Sequence, residues 1–414
     1  MKDLRFWFAL ALWITLLPLK SADWPAWRGP NGNGVADSDQ DPPTSWSAEE
    51  HVIWKVKVPG RGHSSPILVG NQVILTTADE KTQAQSVLSF DRDTGELGWE
   101  TMVHRVPELP KIHKKNTHAS PTAASNGSSV FVVFFNDGIL HLTSLNLKGE
   151  KQWQKQAGSF RPRYHFGYAA SPLLYGDSVI VSAEFADGGY LAAFSSETGL
   201  GIWRTPRDKA TSYSSPIVGN VAGRDQLLIS GGEKISSYDP ANGQLVWQVD
   251  GGTSATAGTM IWTPTQVYAS GGFPTKETIA VVADGSRRIA WKNQEKCYEQ
   301  SLLAYDGHLY AINDGGIAMC WKASDGRELW KERLGGPVSA SPVLVGDRIY
   351  ATNERGQTFV FRASPTKFEL LATNQLGDES FATPAVCDSR VYHRVATYEG
   401  ENRQEWLYCL GRKP

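Results

Sequence analysis

The clearest pattern in the chain lies between residues 301 and 334, where short apolar segments alternate with polar turns. Asp306-Gly307, which ends the first segment, is a dipeptide that accepts the positive φ of a tight hairpin. The pattern predicts four antiparallel strands that form one small sheet, which is marginally stable alone and needs neighbours on its faces. The four segments are Leu302–Tyr305, His308–Asn313, Ile317–Ala323 and Glu328–Leu334.

Two markers repeat this unit along the chain. A Trp ends most units, at spacings of 39 to 54 residues, and follows a Gly-containing turn such as Asp93-Thr94-Gly95. A Ser-Pro or Thr-Pro pair such as Ser65-Pro66 opens most units, and Ser301-Leu302 takes its place in one of them, which gives eight openers. The tryptophans are Trp54, Trp99, Trp153, Trp203, Trp247, Trp291 and Trp330.

The repeat predicts an all-β fold, an eight-bladed β-propeller of four-stranded antiparallel blades. The last unit, which begins at Thr383, stops after Trp406–Leu410 without a fourth strand, whereas Val52–Val58 is a fourth strand with no unit before it. We therefore expect the N-terminal strand to complete the last blade and close the ring. The repeat makes 51–414 one domain despite its length, because the core lies between blades.

Residues 1–21 have the pattern of a signal peptide, since Lys2 and Arg5 precede the short apolar run Phe6–Leu19. We expect an exported monomer in the periplasm or cell envelope with no integral membrane span after cleavage; an uncleaved anchor is the alternative. Lys20 leaves the cleavage site open. Residues 22–50 are rich in Trp, Pro and Gly, and we expect this segment to pack onto the ring as a clasp.

Composition excludes several classes of function. The net charge is −2 and no basic run exceeds a few residues, so nucleic acid is not an expected partner. No nucleophile elbow, phosphate loop or H-E-x-x-H motif occurs, so we expect neither catalysis nor a bound metal or cofactor. The four Cys lack C-x-x-C spacing, and the sequence is compatible either with disulfides or with buried thiols. These residues are Cys297, Cys320, Cys387 and Cys409.

The loops between blades carry the candidate binding residues. In a propeller these loops surround the mouth of the central channel, together with the loops between second and third strands. Their Arg and His side chains favour an anionic or carboxylate-bearing partner, unless neighbouring acids pair with them and plug the channel. A basic insert, Thr101–His118, is either a further contact surface or a solvated loop. The predicted binding residues are Arg61, His63, His118, Arg161, Arg163, Tyr164, His165, Tyr213 and Glu299.

The repeat resembles that of pyrroloquinoline-quinone (PQQ)-type propellers. The segments 91–99 (DRDTGELGW) and 324–330 (SDGRELW) carry the resemblance best. The segments 24–30 (WPAWRGP) and 116–121 (NTHASP) resemble a group of exported bacterial propellers common in planctomycetes. The resemblance implies the fold over essentially the whole mature chain. Such repeats occur in quinone-dependent alcohol dehydrogenases and in the non-catalytic scaffold lipoprotein of the outer-membrane β-barrel assembly machinery.

Departures from these two groups shape the functional expectation. The chain has no adjacent Cys pair, no positions matching the Glu, Asn and Asp of the dehydrogenase calcium site, and no lipid-accepting Cys. We expect a non-catalytic binding or assembly scaffold whose partner is an envelope protein or polymer. One alternative is an oxidoreductase similar to PQQ-dependent alcohol or sugar dehydrogenases, with PQQ and calcium as cofactors. Another is a sensor of polysaccharides or small ligands.

Overall fold

Tight turns divide the chain into 33 strands that form eight sheets around one axis, in a computed structural model that describes residues 23–162, 165–208 and 211–412. The expected signal peptide lies outside the described residues. Each sheet has four antiparallel strands, and one sheet has a fifth strand paired in parallel; this arrangement confirms the predicted eight-bladed propeller. None of the described residues form a helix with the length and apolarity that crossing a bilayer demands.

The first four blades follow one another along the chain, each running from the channel outwards. Blade 1 contains β3 (Ile67–Val69), β4 (Gln72–Asp79), β5 (Ala84–Asp91) and β6 (Leu97–Arg105). Blade 2 contains β7 (Ala124–Ser125), β8 (Ser129–Asn136), β9 (Ile139–Asn146) and β10 (Lys151–Ser159). Blade 3 contains β11 (Leu173–Tyr175), β12 (Ser178–Ala183), β13 (Gly189–Ser195) and β14 (Gly201–Arg207). Blade 4 contains β15 (Ile217–Val221), β16 (Arg224–Gly231), β17 (Lys234–Tyr238) and β18 (Leu245–Asp250).

Blades 5 and 6 repeat this arrangement, whereas blades 7 and 8 each include a strand from the N-terminal part of the chain. Blade 5 contains β19 (Ile261–Trp262), β20 (Gln266–Gly271), β21 (Glu277–Val282) and β22 (Ile289–Asn293). Blade 6 contains β23 (Leu303–Tyr305), β24 (His308–Ile312), β25 (Ile317–Lys322) and β26 (Glu328–Arg333). Blade 7 contains β27 (Val343–Val345), β28 (Arg348–Thr352), β29 (Gln357–Arg362), β30 (Leu370–Gln375) and the extra strand β1 (Val35–Ala36). Blade 8 contains β31 (Ala385–Cys387), β32 (Arg390–Glu399), β33 (Asn402–Leu410) and β2 (Val52–Val58).

The ring closes between blade 8 and blade 1. Strand β2 pairs antiparallel with β33, with Lys55 opposite Tyr408, so the predicted closure by the N-terminal strand is confirmed. A buried guanidinium then joins the two blades, since Arg394 of β32 donates from Nη1 to the Thr76 carbonyl at 2.7 Å. Its Nε donates to Glu405 Oε2 at 2.5 Å, so the buried charge has an acidic partner within its own blade.

The repeated Trp and the repeated turn glycine contact each other across neighbouring blades. The indole N–H of Trp99 in blade 1 donates to the Leu147 carbonyl, 3.0 Å away, in the last turn of blade 2. A Cβ on Gly149 of that turn would lie 2.6 Å from the same ring, and its φ of +81° also favours glycine. The same N–H bond is made by Trp54, Trp153, Trp203, Trp291 and Trp330.

The opener residues form a belt of hydrogen bonds around the channel. At six of the eight junctions, all within the described residues, the backbone N–H of an opener donates to the side-chain hydroxyl of its counterpart in the next blade at 2.9–3.0 Å. The belt positions are Ser65, Thr122, Ser171, Ser215, Thr259, Ser301, Ser341 and Thr383. Two openers therefore differ from the sequence expectation, Thr122 instead of Ser120 and Thr259 instead of Thr263, because the hydroxyl and not the proline defines the register.

The segment from Asp23 to Trp46 crosses the lower end of the channel. It begins on blade 1, where Trp24 and Leu68 exchange backbone hydrogen bonds. Near the axis, the Trp27 indole N–H donates to Thr259 Oγ1 at 2.9 Å. Beyond it, Arg28 Nη2 donates to the Leu302 carbonyl at 2.7 Å. The segment ends with Trp46 stacked on Tyr350 of blade 7, with ring centroids 6.1 Å apart.

The four cysteines all lie within the described residues, are buried and form no disulfide bond with one another. Burial raises the pKa of the Cys387 thiol to about 12, and its Sγ accepts a hydrogen bond from Arg92 Nη2 at 2.8 Å. The thiols therefore pack in the core as small, uncharged side chains.

The contact between Trp and turn glycine predicts a difference between two glycine variants. Gly199 lies under Trp153, where an added Cβ would stand 2.7 Å from the ring, whereas a Cβ on Gly285 would meet nothing within 4 Å; both have positive φ. Ala at either site costs about 1–2 kcal/mol for the backbone conformation. Gly199→Ala should lose a further 1–3 kcal/mol or so from overlap with the ring. Urea unfolding measures both; equal losses would contradict the proposed contact.

Candidate functional site

The two faces of the ring carry different loops and turns. Because strands alternate in direction, the loops between blades and the turns between second and third strands lie on one face, here the upper face. The remaining turns lie on the lower face, where the segment from Asp23 to Trp46 crosses the channel. A candidate site must therefore open upwards, because Trp27 closes the channel below.

A cavity of about 190 Å³ occupies the channel above Trp27. The residue two positions before each belt hydroxyl lines it, so every blade contributes one side chain at the same height. We name these eight residues the collar. They are His63, Ser120, Ala169, Tyr213, Ala257, Glu299, Ser339 and Phe381.

Aromatic rings form much of the cavity wall. In the collar, His63 stacks on Phe381 with ring centroids 4.3 Å apart. Above the collar, Phe166 meets Tyr213 edge-on at 5.9 Å, and Tyr298 also lines the cavity. These rings are partly exposed, as is Trp27 at the floor, so part of each ring can contact a bound group.

Acidic groups concentrate on the side of blades 6 and 7. Burial raises the pKa of the Glu299 carboxyl, opposed by a hydrogen bond from Ser339 and by the charge of Lys115. Ser339 Oγ also donates to Glu354 Oε1 at 2.6 Å. Asp314 lies nearby, where its Oδ2 is 2.8 Å from Lys296 Nζ.

The side of blades 8 and 1 is basic, but its histidine is neutral. Burial lowers the pKa of His63 well below its ordinary value, and the charges of Arg61, Arg394 and Arg403 lower it further. Arg61 turns outwards and donates from Nη2 to the Lys114 carbonyl at 2.9 Å.

The first part of the basic insert, Thr101–Arg105, belongs to β6. The rest of the insert, residues 106–118, lies across the mouth of the channel. The His113 N–H donates to the His165 carbonyl at 2.7 Å, which joins the insert to the loop before blade 3. Lys115 Nζ lies 2.8 Å from Glu354 Oε1 of blade 7. The insert thus bridges distant blades and roofs part of the cavity.

The structure brings together only some of the predicted binding residues. His63, Tyr213 and Glu299 line the cavity, and Arg61 lies at its rim. The others are elsewhere: His118 lines a separate small cavity, Arg161 is 76% exposed beside Asp187, and His165 is exposed. Arg163 and Tyr164 lie outside the described residues. The sequence predicts that the Arg and His side chains converge on the channel mouth, but His118 and Arg161 do not line the cavity. The reason is that residues of different loops lie at different distances from the channel axis.

Sequence reasoning missed four aromatic residues of the cavity. Phe381 and Tyr298 stand in the same loops as the predicted polar residues, and Phe166 follows one of those loops. For Trp27 the sequence predicts packing onto the ring, with a ligand-stacking role as the lesser alternative. The signal in the sequence that could identify collar residues is their position, two residues before a belt hydroxyl. This spacing can be used only when the belt positions are assigned correctly.

The buried histidine predicts a dependence of stability on pH. His63 has a folded-state pKa well below the ordinary 6.5, so the unfolded chain binds a proton first as pH falls. Below about pH 6.5 the free energy of unfolding should drop with a slope that approaches about 1.4 kcal/mol per pH unit for this residue. His63→Phe keeps the ring stack and should flatten the slope. Denaturant unfolding between pH 7 and 5 tests this, and identical slopes would disprove it.

Comparison with known proteins identifies the family. The family model described as "Outer membrane protein assembly factor BamB" matches residues 31–165, 157–299 and 275–365. A curated relative with the same description, from Burkholderia pseudomallei, is 27% identical over 207 residues. That match covers 48% of this chain and 47% of the relative, so the chain spans about half the length of the curated relative it matches.

Solved structures show the same fold. BamB from Moraxella catarrhalis has a TM-score of 0.61 at 14% identity, covering 86% of this chain and 96% of that one. The quinohemoprotein alcohol dehydrogenase ADHIIG from Pseudomonas putida has a TM-score of 0.61 at 12% identity, covering 95% and 81%. A europium-containing methanol dehydrogenase has a TM-score of 0.57 at 10% identity, covering 94% and 98%. The resemblance to PQQ-type repeats is thus confirmed, and the chain belongs to the family described as outer membrane protein assembly factor BamB.

Proposed function

We propose that this chain is a non-catalytic scaffold of the cell envelope that holds a protein partner on its upper face. The observation that carries the proposal is the set of partly exposed aromatic rings at the channel mouth, Phe166, Tyr213, Tyr298 and Phe381. Family membership supports the partner class, because the curated relative is described as an outer membrane protein assembly factor. The proposed partner is therefore a protein of outer-membrane assembly.

The chemistry of the upper face suits protein recognition. Aromatic and Arg side chains supply most of the energy in interfaces, whereas surrounding polar groups exclude water. Here the rings stand among charged groups, with Arg61 and Lys115 on the rim and Glu299 in the wall. The rings are held by blades that are hydrogen-bonded to one another, so little conformational freedom is lost on binding.

The remaining parts of the proposal concern location and domain organisation. We propose that residues 1–21 direct export and that the protein acts as a monomer in the periplasm or cell envelope. Residues 22–50 act as the clasp that closes the channel from below. The propeller then has one open end, which fixes the side from which a partner approaches the cavity.

Site-specific cross-linking in the native envelope tests the proposal. A photoreactive residue at position 213 should capture a protein of outer-membrane assembly, because Tyr213 stands at the mouth. The same residue at position 148 should not, since Lys148 is exposed in a turn of the lower face. Cross-links are identified by mass spectrometry of the captured protein.

A second variant separates docking from mere proximity. Phe166→Ser combined with Phe381→Ser should reduce the yield from position 213 by about 30-fold, as expected for the loss of two aromatic anchors of about 1 kcal/mol each. Leu200→Ser with Ile202→Ser is a matched control on exposed apolar residues of the outer strand of blade 3 and the turn before it. Equal capture at positions 213 and 148, or undiminished capture in the Phe variant, would contradict the proposal.

The described residues do not fit the PQQ cofactor of the similar dehydrogenases. PQQ carries three carboxylates, whose recognition requires several cations. The cavity instead presents the Glu299 carboxyl and Lys115, whose ammonium group already pairs with Glu354. Among the described residues no group of three or more His, Cys, Asp or Glu side chains is placed to hold a metal ion such as calcium.

A further inference from the structure

The collar contains one acidic side chain. Burial lowers the pKa of His63, and the other members besides Glu299 are Ser, Ala, Tyr or Phe, so Glu299 is the one carboxyl group of the ring. The small side chains at Ser120, Ala169, Ala257 and Ser339 leave the space that forms the cavity. An empty space with one carboxyl group in its wall favours a positively charged occupant.

Aromatic faces surround that carboxyl group. Trp27 forms the floor, Tyr213 and Phe381 stand in the collar, and Phe166 and Tyr298 lie above it. Aromatic rings attract a cation over their faces through the quadrupole of the π system. The site already shows this interaction, since Lys296 Nζ lies 5.9 Å from the centre of the Tyr298 ring.

On the side of blades 6 and 7, the charges around the cavity leave one carboxylate in excess. Glu299, Glu354 and Asp314 face two ammonium groups, Lys115 and Lys296, which pair with Glu354 and Asp314 at 2.8 Å each. Within the described part of the chain, Glu299 makes no salt bridge. The carboxylates raise the pKa of Lys115 despite its burial, which shows that their field stabilises a cation at this position.

We propose that the central cavity binds a compact organic cation, a quaternary ammonium, primary ammonium or guanidinium group, between the aromatic faces and Glu299. Its volume of about 190 Å³ is below the range of about 300–1,000 Å³ typical of drug-sized ligands, so it suits one small group. The group belongs either to a free molecule or to a Lys or Arg side chain of a partner. In the second case the inference deepens the proposed function and rests on it.

Titration of the purified protein with choline and with its neutral isostere 3,3-dimethylbutan-1-ol tests the charge requirement. The readout is the indole N–H resonance of Trp27, which is one of 15 tryptophans and is assigned by its loss in Trp27→Phe. Choline should shift this resonance saturably and bind at least tenfold more tightly than the isostere. A second titration with acetate at equal ionic strength should leave the resonance unchanged.

Two variants locate the site. Glu299→Gln keeps the side-chain shape and should weaken choline binding about tenfold, whereas Glu332→Gln, at an exposed carboxyl of blade 6, should change it less than twofold. Tyr213→Leu should weaken choline several-fold with little effect on the isostere. Thermal unfolding of each variant confirms that it is folded.

The source of the cation is distinguished by peptides. Tighter binding of Gly-Arg-Gly or Gly-Lys-Gly than of choline supports a partner side chain, with Gly-Gln-Gly as the neutral control; tighter binding of choline supports a free molecule. Equal binding of choline and its isostere, no shift of the Trp27 resonance, or undiminished binding by Glu299→Gln would overturn the proposal. The cross-linking test of the partner has a separate readout, because it detects a captured protein whether or not a cation occupies the cavity.

Discussion

The contact between a tryptophan and a turn glycine of the next blade sets the geometry of the ring. Trp153, for example, donates its N–H to the Ser196 carbonyl at 3.1 Å and covers Gly199 in the same turn. A larger residue than glycine would separate the two blades. The pair fixes both the distance and the rotation between neighbours. This repeated contact therefore constrains how many blades close the circle. Among the residues that the structure describes, it is absent at three junctions: Trp247 of blade 4 bonds Gln226 of its own sheet, the turn beside Trp330 of blade 6 has no glycine, and the outer strand of blade 7 has no Trp.

The fold could be predicted because its constraints are local and repeated. Alternation at period two gives the strands, and the two markers give the blade count. The register of two blades could not be predicted from prolines, because Pro121 precedes its belt hydroxyl and Pro264 lies in a later turn. The belt hydrogen bond requires a side-chain hydroxyl on the opener residue. A proline indicates the position of that residue only when the proline follows it directly.

The site was less predictable because loop residues of similar chemistry reach different distances from the axis. Arg161 and His63 both precede belt residues, yet one is solvated and the other buried. Only the residue two before the belt hydroxyl is constrained to face the channel. Burial then changes the chemistry, since it lowers the pKa of His63 well below its ordinary value and raises the pKa of Glu299. The basic residues of the loops thus stand around a collar whose one acidic side chain is Glu299.

Closure of the ring by the N-terminal strand has a consequence for synthesis. Strand β2 leaves the ribosome before every other blade strand except the short β1, but its partner β33 follows about 340 residues later. At about 5–20 residues per second this interval is roughly 17 to 70 s. The seven blades between can form locally, whereas the last blade requires a contact between distant parts of the chain. The order of assembly is thus fixed by connectivity, and the opening between the first and last blades is the last to disappear.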